Sequence, residues 1–141
     1  PEAVPYLSEC TAPSDRLLLT WPAPEYFYFA RRAFAAGHGM LLPPHSFTTA
    51  ADQALMIRRV SAEAVPVVFI NETREGGFAD AYPRLAAFIT QHYRRVGTFP
   101  NYDGDQVAIA VRQDLHAQRT YGPDAWPCGF GTVLPIGEAG P

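Results

Sequence analysis

Arg16-Leu17-Leu18-Leu19-Thr20-Trp21-Pro22-Ala23-Pro24-Glu25-Tyr26 is the stretch on which the fold turns. Residues 16–21 form a short, nearly continuous apolar run, the pattern of a strand buried on both faces. Pro22 and Pro24 stop it. Pro24 also suits the first turn of a helix, and Glu25 favours the positive end of the helix dipole. The spacing predicts a helix over Glu25 to Ala36, with Tyr26, Phe29, Ala30 and Ala33 on one face and Gly37 to end it. A buried strand feeding a helix through a tight turn is the opening unit of an α/β sheet.

The rest of the chain extends that unit. Gly39 to Leu42 reads as a second strand, closed by Pro43-Pro44. Thr49-Ala50-Ala51-Asp52 resembles a capping box and opens a second helix, with Met56, Ile57 and Val60 inward and Arg58 and Arg59 outward. Val65-Pro66-Val67-Val68-Phe69-Ile70 is the strongest strand, with Pro66 near its start, where a missing donor does least harm. Asn71 to Gly77 reads as a loop. A third helix follows around Tyr82 to Tyr93, where Leu85, Phe88, Ile89 and His92 recur at helical spacing. Arg95 to Phe99 and Gln106 to Val111 read as a hairpin whose turn is supplied by Asp103-Gly104. Residues 1–15 are Pro-punctuated and read as an irregular flank; 113–141 read as a Gly/Pro-rich tail packing on the 16–112 domain. The expected class is α/β: a three-layer Rossmann-like sheet of about five strands, mostly parallel, with a C-terminal antiparallel hairpin and an order near 2-1-3-5-4.

Composition fits one domain. The 141 residues are 48% apolar, enough for a core that needs no staple. A net charge of −3 argues against a nucleic-acid partner, which calls for a basic patch. All eleven basic side chains are Arg, a bias that points to a bacterial source. No run of residues approaches the roughly 18 apolar positions that a membrane span requires. The chain opens on Pro1 without a visible signal peptide and reads as a piece of a longer protein. Cys10 and Cys128 either remain free thiols or join the two flanks by a bridge, which would imply an oxidising compartment.

Catalytic motifs are missing where they would be expected. The turn after the first strand, Trp21 to Glu25, contains no glycine, so neither a dinucleotide fingerprint nor a P-loop fits there. Its prolines also remove the N–H groups that would cradle a phosphate. No nucleotide, cofactor or metal is expected, and no catalytic residue. His38, His45, His92 and His116 are scattered, without ligand spacing. In open α/β sheets, ligands bind beyond the carboxyl ends of the strands, at the switch point. That crevice would gather Trp21, Glu25 and Tyr26 from one side and Asn71, Glu72, Arg74 and Glu75 from the other. Aromatic faces beside carboxylates, an amide and Arg would suit a sugar or another polar acceptor.

Several segments carry a resemblance. Asp15 to Trp21, Pro24-Glu25-Tyr26-Phe27-Tyr28-Phe29-Ala30-Arg31-Arg32, Val65 to Ile70, Tyr82-Pro83-Arg84-Leu85 through His92-Tyr93, and Val96-Gly97-Thr98-Phe99 follow one another in a familiar order. Together they resemble the soluble C-terminal domain of bacterial polytopic membrane glycosyltransferases of the protein O-mannosyltransferase and aminoarabinose-transferase superfamily. The likeness spans residues 15 to 112. It implies an extracytoplasmic, non-catalytic domain of an enzyme that uses a polyprenyl-phosphate-sugar donor. Such a domain would be partnered by the transmembrane part of the same parent and would assist acceptor recognition, because the family's catalytic carboxylate lies between early membrane helices. The other reading is an independent Rossmann-like ligand-binding or protein-interaction domain without enzymatic activity.

Overall fold

The computed structural model describes residues 3–36 and 49–131. Three strands lie in one five-stranded sheet before the hairpin completes it. β1 (Arg16–Leu19), β2 (Ala33–Phe34) and β3 (Val67–Asn71) are followed by β4 (Tyr93–Pro100) and β5 (Gln106–Arg112). The order is β2-β1-β3-β5-β4. β1 pairs in parallel with β2 and β3, whereas β5 runs antiparallel to both β3 and β4. The hairpin agrees with the sequence reading and the order matches the expected 2-1-3-5-4. However, β2 is Ala33–Phe34 rather than Gly39 to Leu42, and among the described strands of this sheet parallel and antiparallel pairings are equal in number. β3, between β1 and β5, is the apolar run ending at Ile70.

Side-chain alternation divides the core in two. Leu17, Leu19, Val67, Phe69, Val107 and Ile109 face one cluster, and Leu18, Val68 and Ala110 face the other. The second cluster is closed by α3 (Ala50–Ala62), α4 (Glu75–Ala81) and α5 (Pro83–His92). Thr49 caps α3 in a reciprocal box with Asp52, as the sequence suggests. α5 has no such local cap. Instead the buried Gln53 of α3 accepts hydrogen bonds on Oε1 from the Arg84 and Leu85 amides, so one helix satisfies the orphan donors of another.

The first cluster is closed by α1 (Ala3–Cys10), α2 (Pro24–Ala30) and β7 (Trp126–Cys128), the last paired with β6 (Arg119–Tyr121). The expected irregular flank at 1–15 is therefore partly helical. Pro5 falls in the first turn of α1, where its missing N–H breaks no bond. Ala3, Tyr6, Leu7 and Cys10 then recur on one buried face. Cys10 and Cys128 are bonded across 118 residues with Cα atoms 4.5 Å apart. Tyr6 donates its phenol hydrogen to the Pro127 carbonyl at 2.7 Å beside that bond.

The helix expected over 25–36 stops at Ala30. Arg31 takes the left-handed conformation, φ 57°, and closes the helix through its amide. Arg32 then turns inward: Nε donates to Thr11 Oγ1 at 2.9 Å, Nη1 to the Ala30 carbonyl at 2.9 Å, and Nη2 to the Ser8 and Thr11 carbonyls at 3.1 and 3.0 Å. One guanidinium thus ties the open ends of α1 and α2 together. The chain emerges from this knot extended, and Ala33–Phe34 forms β2. The strand expected at Gly39 to Leu42, and Gly37 as helix stop, lie outside the described residues. The loop expected at 71–77 becomes helical from Glu75, despite the unfavourable Gly76-Gly77, because Phe78 is buried and stacks on Tyr82 at 5.5 Å.

Gly97 sits at a register shift in β4, under the indole of Trp126. A Cβ at this position would lie 2.5 Å from Trp126 Nε1 and 2.8 Å from Cδ1. Trp126 cannot easily retreat, since Tyr6 packs edge-on against it at 5.2 Å. We expect Gly97→Ala to destabilise the domain by about 1–3 kcal/mol through this overpacking. A lowered urea midpoint with unchanged slope would show it; a midpoint equal to the parent would contradict the close approach.

Candidate functional site

β1 and β3 run parallel, so their carboxyl ends lie side by side and deliver Thr20 and Asn71 to the same edge. There the Asn71 amide donates to Thr20 Oγ1 at 3.0 Å. The Asn71 side chain, fully buried, donates from Nδ2 to Asp105 Oδ2 at 2.9 Å and accepts from the Arg74 amide on Oδ1. Arg74 Nε reaches the same Asp105 oxygen at 2.8 Å. These donors hold the Asp105 carboxyl below the ordinary aspartate range, with the Asn71 bond the largest cause. A hydrogen-bonded knot therefore fills the place where an open crevice was expected.

The seven residues expected to line that crevice are not gathered in one place. Trp21 and Tyr26 point into the first core cluster, where their rings lie 5.8 Å apart and Tyr26 meets Phe69 at 5.6 Å. Burial, aided by Glu25, pushes the Tyr26 phenol up to about 12, so it stays protonated at neutral pH. Glu25 stands half-buried in the first turn of α2, as a dipole partner would. Asn71 and Arg74 belong to the Asp105 knot, and Glu75 is the first residue of α4. Glu72 lines a cavity on the second face, and pairs there with Arg95 at 2.8 Å. Asp105, which directly follows the Asp103-Gly104 turn, is the group on which Asn71 and Arg74 converge. Its place becomes visible only once Asn71 and Val107 are known to be paired across β3 and β5.

The cavity lies on the second face, between the sheet and helices α4 and α5, and encloses about 310 Å³. Ala108 and Ala110 form its floor, while Ile70, Phe78 and Ile89 form walls. Thr20, Thr90 and the Glu72–Arg95 pair supply its polar groups. Tyr93 also lines it, with its hydroxyl donated to the Val65 carbonyl and its phenol raised by burial. Such a space, hydrocarbon with a few polar groups, is of the kind that holds a small molecule. The charged groups at it are engaged with each other, which suits binding rather than proton transfer.

Among the described residues no cluster of His, Cys, Asp or Glu could hold a metal ion, and no helix is long and apolar enough to cross a membrane. His92 lies at the end of α5 with its ring 4.6 Å from Phe88, and His38 and His45 fall outside the described residues. No known protein family, curated protein or solved structure matches the chain.

The Asp105 knot has a pH signature. Because the folded carboxyl stays ionised to lower pH than the unfolded one, its stabilisation is complete above the unfolded aspartate value of about 3.9 and is lost as pH falls through the lower folded value. Asp105→Asn should therefore be less stable than the parent at neutral pH, with the gap closing below that value. Urea unfolding of both proteins across the acid range measures it; a gap independent of pH would contradict the assignment.

Proposed function

We propose that this chain is an extracytoplasmic, non-catalytic domain of a bacterial membrane glycosyltransferase that uses a polyprenyl-phosphate-sugar donor. In this reading it has the three-layer, Rossmann-like arrangement expected of that domain, sits against the transmembrane part of the same parent, and assists acceptor recognition. The observation that carries the placement is the Cys10–Cys128 bond, since disulfides persist in oxidising compartments. Further support comes from the agreement between the resembling segments and the ordered core: residues 16–19, 67–71 and 83–92 are β1, β3 and α5. The exposed pair Tyr28 and Phe29 on α2, rings 5.0 Å apart, offers aromatic surface of the kind favoured at a membrane interface. Asp105 and Arg74 are engaged in the knot and Glu72 with Arg95, so these ionic groups of the expected crevice and the cavity pair with one another.

The cavity on the second face favours one other reading, an independent ligand-binding domain. Reporter fusions to the full-length parent separate the two. Alkaline phosphatase, which needs an oxidising compartment, should be active when fused after this domain, and green fluorescent protein should be dark. An active cytoplasmic reporter with inactive phosphatase would overturn the proposed placement, and a parent without hydrophobic spans would overturn the transferase.

A further inference from the structure

The faces of β5 differ in bulk. Val107, Ile109 and Val111 fill the first core cluster, while Ala108 and Ala110 point the other way. Helices α4 and α5 leave a partly open space above these small side chains, and Ile70, Phe78 and Ile89 line it with hydrocarbon. A cavity of about 310 Å³ is left, at the lower end of the roughly 300–1,000 Å³ range of small-molecule pockets. Its interior would therefore accept a compact apolar body.

The polar groups narrow the choice further. Thr20 is buried, 7% exposed, and its oxygen accepts from the Asn71 amide. Thr20 also lines the cavity, and a hydroxyl that accepts one bond keeps its own hydrogen to donate to a ligand oxygen. Thr90 adds a second hydroxyl at the α5 side. Glu72 and Arg95 are already joined at 2.8 Å. A charged ligand would lose hydration against the hydrocarbon of Ile70, Phe78 and Ile89, which is unfavourable. An uncharged ligand avoids that loss and still finds the Thr20 hydroxyl.

We propose that this cavity binds an uncharged, hydroxylated small molecule with a compact apolar body, of the class of alkylphenols and cyclic alcohols. The site is formed by this chain alone, so it stands apart from the transferase reading and survives its failure. Thr20 positions the ligand oxygen, the two alanines admit the apolar body, and the hydrocarbon lining of Ile70, Phe78 and Ile89 disfavours charge.

The test uses the whole disulfide-bonded chain, labelled with ¹⁵N and methyl ¹³C, titrated with 4-propylphenol and separately with its anionic counterpart 4-propylbenzoate. Expected are saturable shifts at Ile70, Ile89, Ala108 and Ala110, and intermolecular Overhauser contacts from the propyl group to the Ile70 and Ile89 methyls. The benzoate should bind at least about tenfold more weakly. Ala86→Phe, which fills the cavity from α5, should abolish the contacts while the spectrum stays folded. Absent or non-saturable shifts, or contacts confined to other surfaces, would overturn the site. Equal or tighter binding of the benzoate would overturn the uncharged class, and a folded Ala86→Phe that binds like the parent would overturn the location. Should Ala86→Phe fail to fold, the Overhauser contacts in the parent decide the location alone.

Discussion

β3 is paired on both edges, with β1 and with β5, and its side chains are buried on both faces. A strand so placed can exist only if both faces of the sheet are covered, and this requirement organises the rest of the chain. The second face is covered by helices drawn from the segments between the strands. The first face lacks such a supply. α2 is short, so the cover is completed by α1 before the sheet and β7 after it, joined by Cys10–Cys128. Arg32 fastens α1 to α2 by carbonyl contacts, and Tyr6 fastens α1 to β7. The flanks are therefore structural parts of the domain.

The same construction explains the position of the cavity. On the first face, aromatic rings from both flanks crowd together: Tyr6, Trp126, Phe99, Tyr26 and Phe69 are joined by ring contacts. On the second face, β5 presents alanines beneath α4 and α5, which leaves the cavity there. The polar residues at the carboxyl ends of β1 and β3 are meanwhile drawn into the Asp105 knot, which shuts the usual switch-point crevice. Ligand capacity is thereby shifted from the sheet's end to its side.

Much of the fold is legible in the sequence because the deciding signals are local. The apolar runs at 16–19 and 67–70, the Thr49–Asp52 box and the Asp103-Gly104 turn each specify their own neighbourhood. What was not legible depends on distant partners. α1 needs the sheet beneath it to repay a proline-interrupted octapeptide, α4 needs Tyr82 and the core to offset two glycines, and β2 needs Arg32 to stop the preceding helix. The crevice residues illustrate the same limit: Trp21 and Tyr26 are as suitable for an aromatic core as for a sugar platform, and only packing decides. The cavity itself had no sequence signal, since alanine at 108 and 110 becomes informative only when the helices above them are in place.

The central claim is that the sequence-distant flanks, joined by Cys10–Cys128, are a required cover for the sheet. Amide hydrogen exchange on the oxidised and the reduced chain tests it most directly, because it reads each element separately. The account predicts that reduction weakens protection of α1, β6 and β7 together, and that protection of β3 and β5 falls with them. If α1 and β7 loosen while Val67–Asn71 and Gln106–Arg112 exchange as slowly as before, the cover is dispensable and the account is wrong.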